Sequence, residues 1–137
     1  MNVNAPGRKM LKVVGILCII YSGLNILVVM YVAGAAGALD AEMPLANVSW
    51  SMYYGMILLV YLYTLFMGIM GIVHSKNPAR AKFLAGLGLG SIAAHIIFYL
   101  VVGFEASSLL GVFWLIPVDF VLPVLFIIGA VQNIKAQ

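Results

Sequence analysis

Asp119 and His95 are the side chains whose ionisation could do chemistry inside the apolar part of this sequence. Asp119 is the only acid within an apolar segment, and His95 lies within another. A carboxylate at the centre of a bilayer costs about 2.5–3.5 kcal/mol on insertion scales, so such residues usually face a protein interior, find a partner and mark a functional site. An Asp–His pair there could relay a proton or hold a cationic or polar solute.

Counting along the expected helices places four polar side chains at one depth. Each lies 13 residues from the same end of its helix, which at 1.5 Å per residue is about 20 Å. We therefore expect a substrate or proton site near the membrane midplane, with a hydrogen-bonded polar core that fixes helix register as the alternative. The four side chains are Asp119, His95, Asn25 and Tyr61.

Pro117 and Pro123 bracket Asp119. A proline donates no backbone hydrogen bond and pushes on the carbonyl four residues back, which for Pro123 is that of Asp119. Interrupted helices with free carbonyls recur at ion and substrate sites in transporters. The alternative is that the two prolines only shape helix packing.

The composition indicates which solvent these elements face. Hydrophobic residues make up 65% of the chain and charged residues 8%, against about 45–50% and 25% in a soluble domain. Four continuous apolar segments, near 13–39, 48–73, 83–104 and 109–131, match the roughly 20 residues that span a bilayer. With short connections, they predict one transmembrane domain over 1–137: an all-α, up-down-up-down four-helix bundle.

The charges predict its orientation. All seven basic residues fall on one side of the predicted bundle, and Asp40, Glu42 and Glu105 fall on the other. By the positive-inside rule, the N and C termini are cytoplasmic, in a multi-pass protein of a bacterial plasma membrane. We expect the first segment to be retained, because it is longer than the apolar part of a signal peptide.

Two surfaces could bind lipid or other helices. Lys76, Arg80 and Lys82 form a basic cluster that could hold anionic lipid headgroups, or could serve only to set topology. Gly86 and Gly90, with Ala94, form a smooth helix face. We expect this face to pack within the bundle, with dimerisation as the alternative.

Enzyme signatures are missing from the sequence. There is no nucleophile elbow, no zinc-ligand spacing, no phosphate loop and no nucleic-acid module, and a single cysteine, Cys18, cannot form an internal disulfide. We expect no cofactor, no metal and no nucleic-acid partner, and an enzyme or redox role built within the membrane is the third hypothesis after the two given below.

Several hydrophobic motifs carry a family resemblance: KVVGIL at 12–17, GIMGI at 68–72, NPARA at 77–81, and LPVLF at 122–126 followed by Gly129, Ala130 and Asn133. On these residues the chain resembles small four-helix membrane proteins of Gram-positive bacteria, which implies a fold and nothing catalytic. The small multidrug transporters are similar in helix number. They carry a glutamate in their first helix, whereas this chain has no acid before Asp40.

Two functions follow as hypotheses. The first is a small membrane scaffold or accessory subunit that packs with itself, as a homo-oligomer, or with a membrane protein partner. The competing hypothesis is a transporter or channel for a small solute or proton, using the Asp119–His95 layer.

Overall fold

The computed structural model describes residues 6–37, 49–102 and 116–135, and these ranges form four long helices without any strand. The helices are α1 Arg8–Gly37, α2 Trp50–His74, α3 Ala81–Val102 and α4 Ile116–Ile134, with a 3₁₀ turn at Pro78–Arg80 before α3. The predicted all-α class with four long apolar helices is confirmed. Of the predicted segments, residues 38–39, 48, 103–104 and 109–115 lie outside the described ranges.

Polar residues set several helix ends. α1 begins at Arg8, five residues before the apolar segment, because Arg, Lys, Met and Leu are good helix formers whether or not lipid surrounds them. At the start of α2 the Ser49 side chain accepts a hydrogen bond from the Met52 amide. Asn77 caps the 3₁₀ turn in the same way, since its side chain accepts a hydrogen bond from the Ala79 amide.

The outer surface of the bundle is apolar. Leu27, Leu59 and Leu100 are 66%, 68% and 73% exposed, and many other large apolar side chains lie outside with them. Water would penalise this surface by about 25 cal/mol for each Å², whereas lipid does not. Each of the four helices is long and apolar enough to cross a membrane, which is the pattern of a multi-pass membrane protein.

Small residues let the first two helices approach closely. A Cβ atom built on Gly15 would lie 2.8 Å from the carbonyl oxygen of Gly68, and one built on Gly68 would lie 2.7 Å from that of Gly15. Neither distance is tolerated by a real side chain, so the two backbones touch where both residues are glycine. This contact fixes α1 against α2, the helix pair from which Tyr21 and Tyr61 project.

The glycines of α3 that pack against other helices are not all the ones expected from their spacing. Gly90 meets the Tyr63 ring of α2, and Ala94 packs against buried residues of the core. Gly86 is exposed, and an added Cβ there would meet nothing in the described part of the chain. Gly88 instead faces α4, where a Cβ would lie 2.5 Å from the Ile127 side chain. The expected packing of Gly86 within the bundle is therefore not observed.

A buried polar contact joins the ends of three helices. The Gly7 amide donates to Asn133 Oδ1 at 2.8 Å, and Asn133 Nδ2 donates to the Ser75 carbonyl at 3.2 Å. Asn133 and Ser75 are fully buried. The start of α1 and the ends of α2 and α4 therefore meet at one end of the bundle, which we call the basic end because Arg8, Lys76 and Lys135 lie beside these three residues in sequence.

We predict that Gly68→Ala destabilises the folded protein in detergent. The added methyl would overlap the Gly15 carbonyl, and overpacking of this kind costs about 1–3 kcal/mol. Gly55→Ala on the same helix is the matched control, since a Cβ there meets nothing among the described residues. Thermal unfolding should show a lower midpoint for Gly68→Ala and an unchanged or higher midpoint for Gly55→Ala; equal midpoints would contradict the close approach.

Candidate functional site

Asp119 is buried in the bundle, with 3% of its surface exposed. Two tyrosine hydroxyls donate to its carboxylate: Tyr21 of α1 to Oδ1 at 2.7 Å and Tyr99 of α3 to Oδ2 at 2.6 Å. Both distances are within the usual range for hydroxyl donors to oxygen. Three helices therefore converge on one carboxylate.

His95 lies next to Asp119 and is 2% exposed. Its Nε2 is 3.5 Å from Asp119 Oδ1, which is within ion-pair range. The pair lacks hydrogen-bond geometry, and Nε2 has no hydrogen-bond partner within residues 6–37, 49–102 and 116–135. Its Nδ1 lies 2.7 Å from the Ser91 carbonyl oxygen. The imidazole is thus anchored to its own helix through one nitrogen and presents the other to the carboxylate.

Aromatic rings enclose this pair. The Phe120 ring lies 6.1 Å from the His95 ring and 6.1 Å from the Tyr99 ring, measured between centroids. Tyr61 of α2 packs edge to face on Tyr21, with centroids 5.9 Å apart, and is 2% exposed. Apolar ring faces around an ionisable pair lower the local dielectric and strengthen the electrostatic interactions within it.

Three of the four residues predicted for the polar layer come together. Asp119 and His95 are in contact, and Tyr61 reaches the layer through Tyr21. Asn25 is half-buried, and its Nδ2 donates to the Tyr21 carbonyl of its own helix at 2.8 Å. One N–H of the Asn25 side-chain amide is therefore used in a hydrogen bond within α1.

The two hydroxyl donors were not singled out from the sequence. Tyr99 lies one turn after His95, and Tyr21 lies one turn before Asn25. Residues four apart share a helix face, so both tyrosines lay on the expected inner faces. The depth count used Cα positions, and it passed over them because a tyrosine hydroxyl acts far from its own Cα. Side-chain length was the signal that could have found them.

Ser91 has an unusual environment among the buried polar residues. Ser22 and Thr64 each donate to the carbonyl four residues earlier in their own helix. The corresponding carbonyl for Ser91 belongs to Leu87 and already accepts the Tyr63 hydroxyl at 3.1 Å. The Ser91 hydroxyl is fully buried and has no hydrogen-bond partner among the residues that the structure describes, so a polar atom one turn from His95 is unsatisfied there.

Pro123 follows Asp119 by one turn within a single helix. α4 continues through it from Ile116 to Ile134. Because Pro123 has no N–H, the Asp119 carbonyl receives no helix hydrogen bond from that position. The Pro123 ring is fully buried, and its carbonyl oxygen would lie 3.4 Å from a Cβ on Gly88. In this structure the proline helps to seat α4 closely on α3.

The composition of this site limits its chemistry. Within residues 6–37, 49–102 and 116–135, no group of three or more His, Cys, Asp or Glu side chains could hold a metal ion. The site consists of one carboxyl, one imidazole and phenolic hydroxyls, which are groups that bind and transfer protons.

Comparison with known proteins gives no further information, since no protein family, no curated protein and no solved structure matches this chain.

We predict that Tyr21→Phe lowers the free energy of unfolding by about 1–3 kcal/mol, because the buried carboxylate loses a donor. Tyr31→Phe is the matched control on the same helix, since Tyr31 is 81% exposed. Denaturant titration of the purified protein should separate the two variants. Equal stabilities would show that the Tyr21 hydroxyl does not support Asp119.

Proposed function

We propose that this protein is a small multi-pass membrane transporter or channel in which the Asp119–His95 pair is the site that an ion or small polar solute occupies at the bilayer centre. One observation carries the proposal: an ionisable pair is buried at the meeting point of α1, α3 and α4. Intramembrane ionisable residues that face a bundle interior and pair with one another mark ion pathways and proton relays.

The remaining buried polar groups support the same proposal. A structural polar core is expected to satisfy its own hydrogen bonds, because an unsatisfied buried group costs about 1–3 kcal/mol. Ser22 and Thr64 follow this rule. His95 Nε2 and Ser91 Oγ break it, and they lie one turn apart on α3. Unsatisfied polar atoms confined to one place indicate a site that interacts with something besides the protein.

Asp119→Asn tests this function because it keeps the shape of the side chain and removes its charge. In reconstituted liposomes carrying a potassium diffusion potential, we expect the unaltered protein to conduct protons or small monovalent cations. Removing an interaction of about 1.4 kcal/mol changes a binding constant tenfold, so Asp119→Asn should lower the flux about tenfold or more. Thr64→Val, another buried polar position, should keep it.

Scaffolding through helix packing is the second candidate, and it is supported by Gly86. This glycine is exposed on α3 with open space before it, so the helix of a second chain could approach closely there. If the unaltered protein gives only the flux of protein-free liposomes, or if Asp119→Asn conducts as well as the unaltered protein, the transport proposal is wrong and the scaffold role is favoured.

We propose further that the bundle is up-down-up-down and that its basic end faces the cytoplasm. The meeting of Gly7, Ser75 and Asn133 supports this arrangement, since the start of α1 then lies beside the ends of α2 and α4. Lys76, Arg80 and Lys82 are exposed at that end. In this orientation they meet the anionic lipid headgroups of the cytoplasmic leaflet, with about 1 kcal/mol from each basic residue.

Single-cysteine labelling tests the orientation. Cys18 is buried, so Cys18→Ser gives a background in which Lys76→Cys and Ser49→Cys mark opposite ends of α2. An impermeant maleimide added to intact cells should label the Ser49→Cys protein and not the Lys76→Cys protein. The reverse pattern would overturn both the orientation and the proposed contact with cytoplasmic lipid.

A further inference from the structure

We infer that the ligand of the proposed site is the proton, and that Asp119 and His95 bind one proton jointly. The inference deepens the proposed function by naming its substrate class. It depends on that function only for the statement that the proton crosses the membrane. It is carried by the hydrogen-bond geometry of the imidazole.

The tautomer of His95 follows from its surroundings. The Ser91 carbonyl oxygen lies 2.7 Å from Nδ1, and a carbonyl oxygen can only accept. Nδ1 therefore carries a hydrogen. A neutral imidazole has one N–H only, so its Nε2 is then a bare acceptor.

That bare acceptor faces another acceptor. His95 Nε2 is 3.5 Å from Asp119 Oδ1, and an ionised carboxylate has only lone pairs to present. Two acceptors at this distance repel each other. A single proton between them makes the contact attractive, whether it resides on the nitrogen as an ion pair or on the oxygen as a carboxylic acid.

Charge balance also favours one proton. With one shared proton the pair is neutral; with none its charge is −1, and with two it is +1. Asp119 is the only acid in the described ranges, and the basic residues lie outside the polar layer. No opposite charge among the described residues of this layer balances an excess charge, and burying an unpaired charge away from water is costly.

The groups facing the pair come from every helix around it. They are Tyr21 on α1, Tyr61 on α2, Tyr99 on α3 and Phe120 on α4. The Tyr21 and Tyr99 hydroxyls donate to the carboxylate in either state of the pair. They provide partial compensation when the shared proton leaves, so the deprotonated state is within reach and the site can release what it binds.

The same geometry disfavours a divalent cation. Such ions take about six or more oxygen ligands. Here the two hydroxyls point their hydrogens at the carboxylate, and the nearest other side-chain atom is an imidazole nitrogen. A proton needs only the two atoms that already face each other.

The experiment follows both partners during one pH titration of the full chain in lipid nanodiscs. Nitrogen-15 NMR reports the protonation of His95, and the infrared carboxyl band that is lost in Asp119→Asn reports that of Asp119. We expect both signals to change in one common transition. Asp119→Asn should displace the His95 transition, and His95→Gln should displace the Asp119 transition, because two coupled groups titrate as a pair. Thr64→Val should leave both in place.

Two results would overturn the inference. One is independent behaviour, in which each group titrates at its own pH and is unaffected by loss of the other. The second is a transition that moves when sodium replaces choline at constant ionic strength, because a metal cation would then compete for the site. A coupled transition without any proton flux in liposomes would support the shared proton site and contradict the transport function. Proton flux with independent titrations would support transport and contradict the shared proton site.

Discussion

A carboxylate held among apolar helices has no water to solvate it, so its hydrogen-bond donors must come from the protein. Asp119 takes them from Tyr21 on α1 and Tyr99 on α3, while His95 adds a third contact. Because these donors belong to different helices, the relative positions of α1, α3 and α4 are tied to one functional group. The close approach of Gly15 and Gly68 extends this constraint to α2.

The outer surface of this protein is apolar, and its largely apolar interior also holds polar side chains. Large apolar side chains cover the outside, and the buried set includes Ser22, Thr64, Ser91 and Asn133. Hydrophobic burial does not drive helices together in lipid, so van der Waals packing and interhelical hydrogen bonds must supply the specificity. Ser22, Thr64 and Asn133 form hydrogen bonds with backbone groups. The unsatisfied atoms on His95 and Ser91 are the exceptions, and both lie at or beside the proposed site.

The depth of a residue along its helix was predictable from the sequence. The side of each helix that faces its neighbours was predictable only in part. A helix rises by a fixed distance per residue, so counting placed Asp119, His95 and Tyr61 in one layer. Rotation is harder because these helices are apolar on every face, and a pattern without a polar side does not say which side meets a neighbour. Gly86 and Gly88 illustrate this: the spacing of Gly86 and Gly90 indicated one packing face, but it is Gly88 that meets α4. Side-chain reach was the other missing quantity, and it explains why Tyr21 rather than Asn25 contacts the carboxylate.

The hydrogen bonds of Asn133 have a consequence for biosynthesis. They join Gly7, just before α1, and Ser75, just after α2, to the last turn of α4. These contacts cannot form until residue 133 has been synthesised. Before that point the Tyr21 hydroxyl lacks the Asp119 carboxylate to which it donates in the complete bundle. Asp119 and Asn133 both belong to α4, so the contacts of Tyr21 and Gly7 with them can form only after α4 has been synthesised.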